Sequence, residues 1–353
     1  MGLKILHSAD WHLDSPFASF PPEQRELLRR KQRLIPGIIA DSVRRECCDL
    51  VLLAGDLFDA APSRETLEDV KDALARCAVP VFISPGNHDY CGPGSPWLEE
   101  RWPENVHVFT GGLEAVAVPE LSCRVYGAGY RSMDCLPLLE GFRAEGTEKY
   151  CVAVLHGDPT TVKSPYCAVT AAQVRDSGLD YLALGHIHKA GAFRTGATLC
   201  AWPGCPMGRG WDETGDKGVC IVTLDEGVEI HPLALDLLTF QEFTVDISGG
   251  AEEALEAQLP GVANEDFYRI TLTGRGEMDL DALRQRFTVF PNLELRDKTL
   301  PALDLWKDAG EDTLRGVYFA LLRQAAEEEG SVLARQAAEI SQALLEGREV
   351  ALP

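Results

Sequence analysis

At 353 residues the chain is long enough to bury a large core, and predicts one large domain plus a smaller one. A hydrophobic share of 45% and a charged share of 25% are those of a globular protein, and no apolar run approaches the roughly 20 residues of a membrane span. The net charge of −22 argues against a protein that grips nucleic acid alone, since phosphate binding rests on Lys and Arg.

The charge is uneven. Residues 236–353 carry 23 acidic and 11 basic side chains, a net of −12, which predicts a solvated acidic face there. The 11 cysteines are scattered without a zinc-type CxxC pair, and Cys151, Cys200 and Cys220 sit in apolar runs. They read as reduced core thiols. The first strand starts at Leu3 and the first polar motif at Asp10, which leaves no room for a signal peptide. The expected location is the cytoplasm.

In chain order, Val-, Ile- and Leu-rich runs occur near 3–9, 49–54, 79–83, 106–109, 150–155, 181–184, 198–202 and 218–224. Helix-compatible stretches at 22–46 and 63–77 separate some of them. Continuously apolar strands are buried on both faces, as in a layered α/β domain, here expected over 1–235. From about 236 to 300 the pattern becomes strand Phe243–Ile247, helix Ala251–Leu259, strand Asp266–Thr273, helix Asp279–Phe287 and strand Asn292–Asp297. That is a small α+β unit. Two acidic, Ala- and Leu-rich helical stretches follow in 301–353, at 311–329 and 331–347, broken at Gly330-Ser331. They read equally as a packed hairpin or as a surface that docks a partner.

Five apolar runs end in residues that ligate metals: Asp10-Trp-His12, Gly55-Asp56-Leu-Phe-Asp59, Gly86-Asn-His-Asp89, His156, and Gly185-His-Ile-His188. In open α/β sheets, functional loops lie at the carboxyl ends of strands. A lone His is more often structural than a ligand, but five of the eight histidines fall in these loops. His7, His107 and His231 lie elsewhere and read as structural, and Trp11 and Phe58 as packing residues. Asp10, His12, Asp56, Asn87, His156, His186 and His188 make a binuclear set. Its mixed carboxylate, imidazole and amide donors suit Mn, Fe or Zn better than Ca or Mg. Asp10 and His12, and likewise His186 and His188, are two apart, so each pair would share one face of an extended strand. Asp56 is the natural bridging carboxylate. Two ions roughly 3.5–4 Å apart clamp an in-line phosphoryl displacement and acidify a bound water.

His88 is the candidate for stabilising the transition state and protonating the leaving oxygen. Asp59 or Asp89 would orient its ring. Arg209, Trp211 and Lys217, in the Gly- and Pro-rich loop 202–217, are candidates for lining the substrate path.

The ordered motifs, spanning about residues 3–225, resemble the calcineurin-like metallophosphoesterase superfamily. The resemblance implies a four-layered αββα sandwich. It implies that Asp10, His12, Asp56 and His188 hold one metal, Mn foremost, that Asp56, Asn87, His156 and His186 hold the other, and that His88 is catalytic. Within the superfamily, Ser8-Ala-Asp-Trp-His-Leu13, Gly55-Asp-Leu-Phe-Asp59, Pro203-Gly-Cys-Pro206 and Asp212-Glu-x-Gly-x-Lys-Gly218 look like the SbcD-type DNA repair exonucleases. Leu13-Asp-Ser-Pro-Phe17 looks closer to their YhaO-like branch. Such nucleases carry a small capping domain and then helices that dock an SbcC-like coiled-coil ATPase. The α+β unit and the final helices fit that plan, and 22–46 and 63–77 would be the homodimer surfaces.

The expected activity is therefore metal-dependent hydrolysis of DNA phosphodiesters, with a partner supplying much of the DNA grip. The alternatives are an enzyme on nucleotides or other small phosphoesters, which the acidic charge favours, and an assembly subunit with vestigial hydrolysis.

Overall fold

Strand β1 (Leu3–Ser8) is buried along almost its whole length, and it leads through helices α1 (Pro22–Gln32) and α2 (Ile35–Arg45) to β2 (Leu50–Leu53). These details come from a computed structural model that describes residues 2–301, 304–327 and 331–347. The expected helical stretch 22–46 is two helices. Pro36, in the first turn of α2, has no N–H and cannot continue α1. Helix α3 (Arg64–Cys77) starts at Ser63, whose side chain accepts from the Thr66 N–H. Then come β3 (Val81–Ile83), a single turn α4 (Pro96–Glu99) and β4 (Val106–Val108).

Next are β5 (Glu114–Val118), β6 (Cys123–Gly127), β7 (Tyr150–His156), α5 (Ala171–Asp176), β8 (Tyr181–Gly185), β9 (Gly191–Thr195) and β10 (Thr198–Trp202). Strands β11 (Gly218–Leu224) and β12 (Val228–Ala234) return to the first sheet. The first sheet runs β12-β11-β1-β2-β3-β4 and the second β5-β6-β7-β8-β10-β9.

Alternation along β1 sorts the layers. Leu3 and Ile5 point inward and join Leu50, Leu52, Val152, Val154, Tyr181 and Ala183 between the sheets. Leu6 points outward and packs with Val51, Leu53 and the helix residues Leu28, Ile39, Val70 and Leu74. On the far side Ala153, Leu155, Leu182 and Leu184 pack against Val174 of α5 and Leu179. The result is the four-layered αββα sandwich.

Four strands escape the apolar-run reading. Three of them, β5, β9 and β12, are sheet edges with alternating or mainly exposed residues, and β6 is broken up by Arg124. Pro232 sits within β12, where an edge strand tolerates its missing N–H.

The chain divides into two compact units, Met1–Glu242 with Glu265–Arg269, and Phe243–Asn264 with Ile270–Pro353. After β12 follow β13 (Phe240–Asp246), α6 (Ala251–Glu256), β14 (Phe267–Thr273), α7 (Leu280–Arg286) and β15 (Leu293–Asp297), with sheet order β13-β14-β15. Helices α8 (Leu314–Glu327) and α9 (Val332–Leu345) pack together around Phe319 and Ala338. Gly330 of the expected break lies outside the described residues. Among the described residues no helix is long and apolar enough to cross a membrane.

His107 packs edge-on to Phe109 in the first sheet, and His231 is exposed on β12 beside Glu229. His7 is the polar exception between the sheets. Its Nε2–H donates to the Leu184 carbonyl at 3.0 Å, which leaves Nδ1 to accept from the Tyr181 hydroxyl at 2.7 Å. Burial pushes its pKa down to about 3, so the ring stays neutral. Tyr181→Phe removes the donor and strands a buried acceptor. It should cost about 1–3 kcal/mol in urea unfolding with an unchanged m-value; no loss would remove this pair from the account of inter-sheet cohesion.

Candidate metal centre

The carboxyl ends of β1, β2, β3, β7 and β8 release the five polar loops at one edge of the sandwich. The first two loops continue side by side beyond their strands. Asp10 N donates to Gly55 O at 3.0 Å, His12 N to Asp56 O at 2.9 Å, and Leu13 N to Leu57 O at 2.9 Å. Asp10 and His12 do not share a strand face, because β1 ends at Ser8. The two side chains converge through left-handed backbone, φ 55° at Asp10 and 46° at His12. Asp56 and His186 are left-handed too, at 52° and 88°, and β8 has already ended at Gly185 before His186. Asp and His tolerate that region better than bulky side chains, but it remains strained.

Two glycines let the sheets close here. A Cβ on Gly185 would strike the Ala54 carbonyl, and one on Gly55, itself at φ 87°, would lie 2.7 Å from His156 Nδ1. Asp89 ties the next loop down, accepting from Gly86 N at 2.7 Å and Leu57 N at 2.8 Å. That leaves Asp89 facing backbone, not the His88 ring.

All seven candidate ligands arrive at this edge. Three groups bring their donor atoms within 4.8 Å of one another: Asp10, His12 and His188; His12, Asp56 and His88; and Asp10, Asp56 and His156. Asp56 Oδ2 lies 3.7 Å from His12 Nε2 and 3.4 Å from His156 Nε2, between the two halves of the set. Asn87 Oδ1 is 2.9 Å from His156 Nε2. His186 stands outside those three groups. Its backbone N–H donates to Asp10, and its ring packs 5.3 Å from the His156 ring and 4.7 Å from Tyr166. His88 is partly exposed, with Nδ1 donating to the Asp59 carbonyl at 3.3 Å. The Asp59 carboxylate serves His12 instead, accepting from Nδ1 at 3.1 Å, and stays 3.8 Å from His88. Trp11 and Phe58 are buried packing residues.

The protonation pattern fits cations. The His12 and His188 Nδ1–H groups donate to Asp59 and Glu213, so both Nε2 atoms present lone pairs, only 3.2 Å apart. His156 donates Nδ1–H to Ala54 O at 2.8 Å, so its Nε2 faces the oxygens of Asn87 and Asp56, which draw a proton or a cation to it. Converging acceptors require a proton or a cation between them. The pull is visible in the acidities. His156 is buried, which alone would lower its pKa, yet the Asp56 charge raises it to about 9. Burial works to raise the Asp56 pKa, but His156 and His12 together hold it well below the carboxylate range. Asp10 is pushed up to about 6 by burial, against the pull of His156 and His188. Burial holds His12 down at about 4.

Of the three candidates in the loop 202–217, only Arg209 reaches the centre, 3.4 Å from Asp59. Trp211 packs against Phe240, with the Arg269 guanidinium 3.8 Å over its ring. Lys217 lines a separate cavity of about 460 Å³ beside β9 and β12. Sequence reasoning passed over Glu213, although its Asp212-Glu-x-Gly stretch stood out.

The sequence profile of the calcineurin-like phosphoesterases matches residues 3–190. The uncharacterized metallophosphoesterase YhaO of Bacillus subtilis is 33% identical over 247 residues, which cover 64% of this chain and 58% of that one, less than two thirds of its length. The SbcD component of the nuclease SbcCD from Staphylococcus epidermidis is 21% identical over 82% of this chain and 84% of its own. A crystal structure of a dimetal phosphatase from Danio rerio aligns with TM-score 0.45 at 14% identity, over 67% of this chain and 98% of that one.

If the convergent acceptors hold cations, the purified chain binds two Mn²⁺ ions and its melting temperature rises with Mn²⁺ and falls back with chelator. Asp56→Asn should lose at least one ion and most of that rise, read by equilibrium dialysis and calorimetry. Unaltered stoichiometry in the variant would show that Asp56 is not shared.

Proposed function

This chain belongs to the calcineurin-like phosphoesterase family, and on that footing we propose that it is a binuclear-metal phosphodiesterase that cleaves DNA as a component of a repair nuclease. The observation that carries the proposal is the convergence of Asp10, His12, Asp56, Asn87, His156 and His188 beside a partly exposed His88. The relationship to a component of an SbcCD nuclease along 82% of the chain supports DNA as substrate.

Two divalent cations, Mn²⁺ the first choice, supply a clamp on the phosphoryl group and an acidified water. The protein's residues do the rest. Asp56, between His12 and His156, would serve both cations, and His186 would join the second set. Asn87 contributes a neutral oxygen, so the set does not accumulate a further negative charge against phosphate. His88, held at Nδ1 by the Asp59 carbonyl, carries a proton on Nε2 towards the leaving oxygen.

The grip on DNA comes from outside the chain, because a net charge of −22 opposes phosphate. Helices α8 and α9 suit the docking of an SbcC-like coiled-coil ATPase. They leave Leu314, Leu321, Leu333 and Leu344 more than half exposed. The unit over 236–300 serves as the capping domain, and two copies pair through the helices at 22–46 and 63–77. All 11 cysteines are free and eight are buried, which supports a reducing, cytoplasmic setting.

The acidic charge favours a second reading, hydrolysis of nucleotides or other small phosphoesters. Salt separates the two: DNA turnover falls steeply with ionic strength and small-ester turnover does not.

With Mn²⁺, linear double-stranded DNA and bis-p-nitrophenyl phosphate should both be turned over. His88→Ala should lower kcat on DNA about 10²- to 10⁴-fold with little change in KM. Full DNA turnover by that variant would end the role given to His88. Turnover of the small ester alone, even with an ATPase partner added, would select the second reading.

A further inference from the structure

Glu213 is 6% exposed, in a loop that supplies none of the seven ligands. Its Oε1 accepts from His188 Nδ1 at 2.7 Å and from Arg209 Nη2 at 2.9 Å, and its Oε2 accepts from the Arg209 backbone N–H at 2.8 Å. Arg209 then reaches the second carboxylate, Asp59, at 3.4 Å, and Asp59 accepts from His12 Nδ1. The chain of contacts is closed. It runs His188, Glu213, Arg209, Asp59, His12, and the two imidazoles meet again at their Nε2 atoms, 3.2 Å apart.

We infer that Glu213 is a positioning residue that aims His188 into the metal centre, and that Arg209 joins it to Asp59 so that His188 and His12 are held as one unit. The inference rests on reading these histidines as metal ligands. A carboxylate only accepts, so Glu213 keeps the proton on Nδ1 and fixes the ring about its long axis. It also makes Nε2 the more basic donor. The guanidinium sorts the carboxylates of the site. Asp10 and Asp56 face the centre, whereas Arg209 holds Asp59 and Glu213 back, where each can only serve a histidine. Without that cation, Asp59 and Glu213 would add uncompensated negative charge beside Asp10 and Asp56.

The loop is built to keep this geometry. Glu213 N donates to Gly210 O at 3.1 Å, closing the turn between the two partners. Trp211, inside that turn, is pinned by Phe240 and by Arg269. A Cβ on Gly208 would lie 2.6 Å from the Glu213 carbonyl, so the backbones touch there. Glu213 and Arg209 therefore hang from a closely packed support.

The test measures metal affinity, not turnover. Mn²⁺ is titrated calorimetrically at one pH into the full-length wild type, Glu213→Ala and Glu213→Gln, and each protein is melted in chelator. We expect Glu213→Ala to weaken one of two ions about 10- to 100-fold and to spare the other, with a metal-free melting temperature close to wild type. Glu213→Gln, whose Oε1 still accepts from Nδ1–H, should recover part of the loss. It also decides the matter if the alanine variant does not fold. Equal affinities in wild type and Glu213→Gln, or loss of both ions together with a lowered metal-free melting temperature, would overturn the inference. A wild type that binds no Mn²⁺ would instead overturn the metal-centre reading on which it rests. Combining Glu213→Gln with Asp59→Asn tests the link through Arg209: losses that fail to multiply support one unit, and independent losses separate the two histidines.

Discussion

The Nδ1–H of His156, at the end of β7, reaches the carbonyl of Ala54, at the end of β2. That bond crosses from one sheet to the other, and much of the site follows from it. Stacked sheets stand about 10 Å apart when side chains fill the gap. At this edge no side chain can fill it, because Gly185 and Gly55 lie where any Cβ would collide with Ala54 or His156. The sheets close until backbone and imidazole touch. The same bond turns His156 Nε2 towards Asn87 and Asp56. Candidate ligands from β2 and β3 in one sheet thus meet candidate ligands from β7 and β8 in the other.

A pattern repeats around the centre. Each imidazole that faces a neighbour with Nε2 is held from behind at Nδ1, His156 by a carbonyl, His12 and His188 by carboxylates. Asp89 plays the equivalent part for backbone, collecting N–H groups from two loops. His7 does the same deeper between the sheets, where its neutral ring satisfies Tyr181 and Leu184 without bringing in charge. The His7 ring is tolerated in this layer because both of its nitrogens have a fixed partner.

The candidate site is legible in the sequence because each motif ends an apolar run. Strand ends converge in a layered fold, so Asp10, His12, Asp56, Asn87, His156 and His188 could be grouped before any distance was known. A shared strand face nevertheless does not account for two of the pairs. Asp10 and His12 come together because the backbone turns left-handed, and spacing alone cannot report a φ angle. Glu213 was not legible as a partner of His188. It lies 25 residues away in a Gly- and Pro-rich loop, where local pattern carries no information about contacts. The preference of Asp59 for His12 was equally hidden, since it arises from the parallel run of residues 10–13 alongside 55–58. Edge strands such as β9 and β12 were missed because half-exposed strands lack an apolar run.

The left-handed conformations at Asp10, His12, Asp56 and His186 have a consequence for any search among variants of this chain. Each such residue costs on the order of 1 kcal/mol that a glycine would not incur. Selection for thermal stability in a chelating medium would therefore drift towards Gly or Asn at these four positions. The most heat-resistant descendants would be those that had lost these candidate ligands. Selection with the cation present pulls the other way, since binding energy then rewards the side chains that the backbone disfavours. The growth medium, as much as the screen, would decide which protein emerged.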